Sequence, residues 1–177
     1  KAPTGIRGRD EITMGGRPRG RPTLVCGPAG SGKTLLALEF LVRGALEYGE
    51  PGVFVAFEES AADLAANVAS LGFNLVAMQR RKQLAVEEVL IDTDQMIETG
   101  PFDLEALFIR IGAAADSANA KRVVLDTIEM LFGGILHTGI VRAELIRLFR
   151  WFKDRELTVL ITGEQGGGLP TRHGCEE

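Results

Sequence analysis

Five short runs of branched and aromatic residues punctuate the chain: TLVC (Thr23 to Cys26), GVFVAF (Gly52 to Phe57), LAVEEVLID (Leu84 to Asp92), RVVLD (Arg122 to Asp126) and LTVLIT (Leu157 to Thr162). Near-continuous apolar runs of this length predict strands covered on both faces, as in a parallel sheet. The segments between them carry a helical period. From Thr34 to Tyr48, Leu35, Leu38, Leu41, Val42 and Ala45 fall on one face, while Glu39, Arg43 and Glu47 form an i,i+4 charged stripe on another. Ser60, with Asp63 three residues on, reads as an N-cap opening a helix through about Leu71. Further helices are predicted over 103–118 and 140–155, the second with Leu145, Leu148, Phe149 and Phe152 inward and Arg142, Arg150 and Lys153 outward. Strand alternating with helix predicts an α/β fold with right-handed crossovers, whose ligands collect at the carboxyl ends of the strands.

A chain of 177 residues is long enough for one domain with a substantial core and too short for two ordinary ones. Hydrophobic residues at 45% and charged residues at 25% exclude a disordered or membrane-embedded chain. No apolar run approaches the roughly 20 residues that span a bilayer, and the opening KAPTGIRGRD has no signal-peptide core, so a cytoplasmic protein is expected. Cys26 and Cys175 lack CxxC spacing, which argues against a zinc site or a disulfide framework; Cys26, ending an apolar run, is expected to be a buried thiol. A net charge of -4 offers no global attraction to nucleic acid. One local exception is GIRGRDEITMGGRPRGRP, where Arg7, Arg9, Arg17, Arg19 and Arg21 form either a solvated basic loop or a patch facing phosphate or an acidic neighbouring subunit. GEQGGGLP (163–170) reads as a loop.

Directly after TLVC comes GPAGSGKT, Gly27 to Thr34, matching G-x-x-x-x-G-K-[ST] with the preceding strand and following helix that this motif requires. Glycines let successive backbone N–H groups turn toward phosphate oxygens, and the helix N-terminus adds partial positive charge. Lys33 can then reach the β- and γ-phosphates, and the Thr34 hydroxyl can ligate Mg²⁺. Asp126, ending the buried run of KRVVLD beside Thr127, is the expected metal-side carboxylate.

VFVAFEES raises a separate question, because Glu58 and Glu59 stand side by side at the end of an apolar strand. The strand is expected to neighbour the P-loop strand, bringing its end near the γ-phosphate. There a carboxylate can hold and deprotonate water, and two close carboxylates split their apparent pKa values. Alternatively the pair is solvated, favouring the dipole of the helix that follows. Both readings stay open on geometry.

Taken together, GIRGRDEITMGGRPRG, GPAGSGKTLLALEFL, EPGVFVAFEES, KRVVLDTIEM, VRAELIRLFRWFKD and RHGCEE resemble the KaiC family of RecA-like ATPases, the circadian clock proteins of cyanobacteria and their relatives. The resemblance runs from Gly5 to Glu177 and implies a RecA-like P-loop fold, with ATP and Mg²⁺ held between the subunits of a hexameric ring. It implies that Glu58 is the catalytic base, with Glu59 beside it near the metal, and that Lys33 acts on the phosphates. Gly30, Ser31, Gly32, Lys33, Thr34 and Leu35 match the family's nucleotide-binding loop. Ser70, unremarkable by spacing, falls where the family has a serine contacting the nucleotide. Clock or signalling proteins are the implied partners, and nucleic acid is not. The family continues past the position of Glu177 into further strands and a basic segment reaching the neighbouring subunit's nucleotide, so a single domain over 1–177, truncated at its carboxyl end, is expected.

In two-domain relatives the first domain is chiefly an ATPase, whereas the second phosphorylates itself on adjacent Ser and Thr. FGGILHTGIVRAE offers Thr138 without a Ser-Thr pair, which favours the ATPase type, with Thr138 an N-cap. Two rivals share the P-loop: a RecA-like DNA motor, for which the glycine loop supplies little basic or aromatic surface, and a non-catalytic scaffold switched by nucleotide.

Overall fold

Val53, Phe54 and Val55 alternate between two apolar layers, and that alternation organises the computed structural model. It describes residues 1–89, 104–132 and 138–165, with side chains at 132 and 138–140 left outside the description. In chain order the elements are α1 (Arg9–Ile12), β1 (Pro22–Gly27), α2 (Lys33–Tyr48), β2 (Gly52–Ala56), α3 (Ala61–Ala69), α4 (Leu75–Arg80), β3 (Leu84–Glu88), α5 (Leu104–Ala118), β4 (Arg122–Asp126), α6 (Glu129–Phe132), α7 (Thr138–Asp154) and β5 (Thr158–Glu164). The five strands pair in the order β1-β5-β4-β2-β3, every pair parallel. This is the α/β sheet expected from the alternation of strands and helices, and it fits the RecA-like P-loop architecture that the KaiC resemblance implies.

Because successive strand residues face opposite sides, Val53, Val55, Val123, Leu125, Val159 and Ile161 join one core layer with Leu107 and Ile111 of α5 and Leu148 and Phe152 of α7. Phe54, Ala56, Val124 and Leu160 join the other, with Leu38 and Leu41 of α2, Leu64 of α3 and Leu75 of α4. β2 and β4 are buried throughout, each large side chain contributing on the order of 2 kcal/mol by its removal from water. Strands β1 and β3 are only partly buried, because they are the outer strands among those described. For the same reason Cys26 is half-buried, not the buried thiol expected.

The sheet order also corrects the expected neighbours. β2 does not pair with the P-loop strand β1; β5 and β4 lie between them. Local sequence carries no information on which parallel strands pair across long crossovers. What the parallel arrangement preserves is the common carboxyl edge: Ala56 stands opposite Asp126, and Gly27 opposite Glu164.

The helical faces follow their predicted pattern with one exception. Arg43 bridges Glu39 and Glu47 at 2.7 Å each along α2. Leu145, Leu148 and Phe152 of α7 are buried, Phe149 packs against the core, and Arg142, Arg150 and Lys153 are exposed. Leu35 is 39% exposed rather than inward, since the first turn of α2 projects past the sheet into the pocket described below. α7 opens at Thr138, whose side chain lies outside the described residues, as do Leu90 to Asp92 of the third predicted strand, most of the 163–170 loop and Cys175. Among the described residues no helix is long and apolar enough to cross a membrane.

A buried ion pair anchors the amino-terminal segment, and no sequence motif announced it. Arg122, 0% exposed at the start of β4, donates from Nε to Glu50 Oε2 (2.7 Å) and from one terminal nitrogen to Phe40 O (2.9 Å), under the Phe40 ring at 4.5 Å. Arg19 reaches the other oxygen of Glu50 at 2.5 Å. Burial resists ionisation of Glu50, but hydrogen bonds from Arg122 and Arg19 outweigh it and hold the carboxyl below the ordinary range. Of the clustered arginines, Arg19 is thereby a structural tie rather than part of a free patch.

Candidate functional site

At the carboxyl edge of the sheet, a cavity of about 420 Å³ is lined by the P-loop residues Ala29 to Leu35 together with Glu58, Glu59, Asn67, Thr127 and Glu164. The loop takes its shape from glycine. Gly30 and Gly32 adopt φ of 73° and 82°, left-handed values that L side chains rarely reach, and a Cβ on Gly27 would meet Ser31 Oγ at 2.7 Å. Gly32 is also the N-cap of α2 and carries no capping side chain, so the helix N-terminus opens directly onto the cavity. Such a terminus suits an anion.

Lys33 Nζ donates to the carbonyl oxygens of Gly27 (3.0 Å) and Pro28 (2.9 Å), which keeps its ammonium folded over the loop. Thr34 Oγ1 donates to Asp126 Oδ2 at 2.8 Å. With its proton directed to the carboxylate, the hydroxyl keeps lone pairs available for a cation. Asp126 is 7% exposed, and its second oxygen, Oδ1, accepts from the buried Thr162 hydroxyl on β5. Among the described residues no group of three or more His, Cys, Asp or Glu could hold a metal by itself. Mg²⁺ takes one or two protein oxygens and completes its shell with water and substrate phosphates. Thr34 and Asp126 are the residues that would hold it.

β2 ends at Ala56, and Phe57 N donates to Asp126 O (3.1 Å), so the two carboxylates fall in the bend beyond the strand, where the pleat no longer forces them to opposite faces. Both then line the cavity. Glu59 has its pKa raised, first by burial and then by the charge of Asp126, with smaller contributions from Asp63 and Glu58; a hydrogen bond from Asn67 Nδ2 (2.8 Å) works against the rise. The charge of Asp126 thus reaches Glu59. At the start of α3 the first N–H, on Ala61, donates to Glu88 Oε1 (2.8 Å), and Ser60 Oγ caps Asp63 N as predicted.

The structure therefore brings together Gly30, Ser31, Gly32, Lys33, Thr34, Leu35, Glu58 and Glu59 around one cavity, with Gly27 beneath Lys33 and Asp126 against Thr34. Ser70 is not brought there. It forms the exposed C-cap of α3, three residues beyond Asn67, which does line the cavity. Asn67, Thr162 and Glu164 escaped the sequence reading. Thr162 left a signal: with Thr158 it is one of two buried hydroxyls in the apolar run LTVLIT, and it stands at the carboxyl end of that run.

The whole sequence then decides the family, since the family model described as "ATPase: KaiC" matches residues 2–177. The chain belongs to the KaiC ATPase family. It is 57% identical over 177 residues to Circadian clock protein KaiC2 of Synechocystis sp., covering 100% of this chain and 31% of that protein. It is 42% identical over 179 residues to Circadian clock oscillator protein KaiC of Parathermosynechococcus lividus, covering 100% of this chain and 33% of the relative. The chain thus spans about a third of the length of these curated relatives. Membership of the KaiC family implies nucleotide binding, and the P-loop cavity has chemistry suited to it.

Proposed function

We propose that the domain binds ATP with Mg²⁺ in this cavity and hydrolyses it, Glu58 orienting and deprotonating the attacking water. The observation that carries the reading is that Glu58 and Glu59 line the same cavity as the P-loop although their strand lies three places from β1 in the sheet. The helix N-terminus and Lys33 bind and orient the phosphates, stabilising the charge that moves onto their oxygens during transfer. Mg²⁺ held by Thr34 and Asp126 would supply charge neutralisation between the phosphates. Glu59, beside Asp126, keeps the metal side of the site acidic, leaving Glu58, the more exposed of the pair, for water.

In the whole protein the domain forms a ring, hexameric by the family pattern, with ATP between subunits and a clock-type or other signalling output. The names of the relatives tie them to the circadian clock, which supports the clock-type output.

The test is Glu58→Gln, which keeps shape and removes the base. ATP binding persists while phosphate release falls by roughly 10²-fold or more. Release at the wild-type rate would sink the assignment of the base. The mass of the assembly with and without ATP tests the ring.

A further inference from the structure

Asn67 stands in the cavity yet belongs to none of the motifs that mark it. It lies four residues after Asp63 on α3, so the Ser60 cap that fixes the start of the helix also fixes where its amide arrives. There Nδ2 donates to Glu59 Oε2 at 2.8 Å. The charges that act on Glu59 to raise its pKa, those of Asp126, Asp63 and Glu58, are all of its own sign, while the Lys33 ammonium of the same cavity is bonded to the loop carbonyls of Gly27 and Pro28. A glutamate among three like charges turns outward to water unless something holds it. An amide suits that task, because it donates a hydrogen bond without cancelling the carboxylate charge as a lysine or arginine would.

We propose that Asn67 is a positioning residue for ATP hydrolysis, holding Glu59 through this hydrogen bond so that the Glu58–Glu59 pair keeps its arrangement over the phosphates. The inference rests on the hydrolytic role assigned to that pair. Asn67 touches neither water nor phosphate in this scheme; it acts through Glu59.

Four variants of the full-length protein test it: Asn67→Ala, Asn67→Asp, Glu59→Ala and the Asn67→Ala/Glu59→Ala pair. Each is measured for steady-state phosphate release and for binding of a non-hydrolysable ATP analogue. Asn67→Ala lowers kcat by about tenfold or more while KM and analogue affinity stay within about twofold. Asn67→Asp, equal in shape but adding a like charge, is slower still. In the Glu59→Ala background the substitution of Asn67 costs nothing further. The inference is overturned if Asn67→Asp turns over like wild type, if the loss is in analogue binding instead of kcat, or if Asn67→Ala retains its full effect without Glu59. Glu58→Gln separates the two layers. Wild-type release by that variant overturns the hydrolytic reading itself, whereas slow release with an unaffected Asn67→Ala overturns the positioning role alone.

Discussion

Thr34 Oγ1 and Asp126 Oδ2 lie 2.8 Å apart, joining the first turn of α2 to the end of β4 across 92 residues of sequence. In the proposed function these two groups hold the cation, and the bond directs the hydroxyl proton to the carboxylate. Thr34→Val keeps the branched shape and removes the oxygen. Nucleotide titrations with and without Mg²⁺ should show the metal-dependent part of the affinity reduced by roughly tenfold, with metal-free binding little changed. Equal loss in both titrations would contradict the metal-side role.

Gly32 supplies the left-handed turn from which α2 starts, at φ 82° with open space where a Cβ would stand. Gly32→Ala therefore meets no clash and isolates the backbone cost, about 1–2 kcal/mol of stability by urea denaturation. Because relief of that strain displaces the N–H groups lining the cavity, nucleotide affinity should drop as well. A stable variant with normal affinity would show that the loop tolerates another backbone path.

Glu50→Gln leaves the Arg122 guanidinium, 0% exposed, without a buried counter-charge. Uncompensated burial of this kind costs about 3–5 kcal/mol. Combining it with Arg122→Met should recover most of the loss, since the pair is then removed together. Additive destabilisation in chemical denaturation would mean the two residues do not act as a pair.

The same carboxyl makes stability depend on pH. Glu50 is held below its ordinary value of 4.5, so its contribution is fully present above that pH and disappears as the pH falls through the lower folded value. Wild-type stability should decline across this acid window more steeply than that of Glu50→Gln. Parallel pH–stability curves for the two proteins would remove Glu50 as the source.

What could be read from the residues alone was whatever depends on near neighbours in the chain. GPAGSGKT names its own strand, loop and helix, because glycine conformations and a helix N-terminus are local properties. The Arg43 bridges and the Ser60 cap follow from spacings of three and four residues. Alternation of apolar runs with helical periods was enough for the α/β class, and the KaiC resemblance extended it to a set of site residues. Leu35 shows the limit of periodicity, for it has the inward phase of α2 but lies beyond the sheet that would cover it.

Tertiary structure decided which distant groups meet. Strand order placed β5 and β4 between the P-loop strand and the strand carrying the glutamates, a pairing that crossover geometry sets and no single run encodes. The same packing put Thr162 against Asp126, Glu50 against Arg122 and Asn67 against Glu59. Chain sequence alone determined the glycine-rich loop and the carboxylates that the proposed function uses. Their arrangement depended on the fold, because a hydrogen bond or ion pair is specified by distance in space, and only the assembled parallel sheet brings its carboxyl ends to one edge.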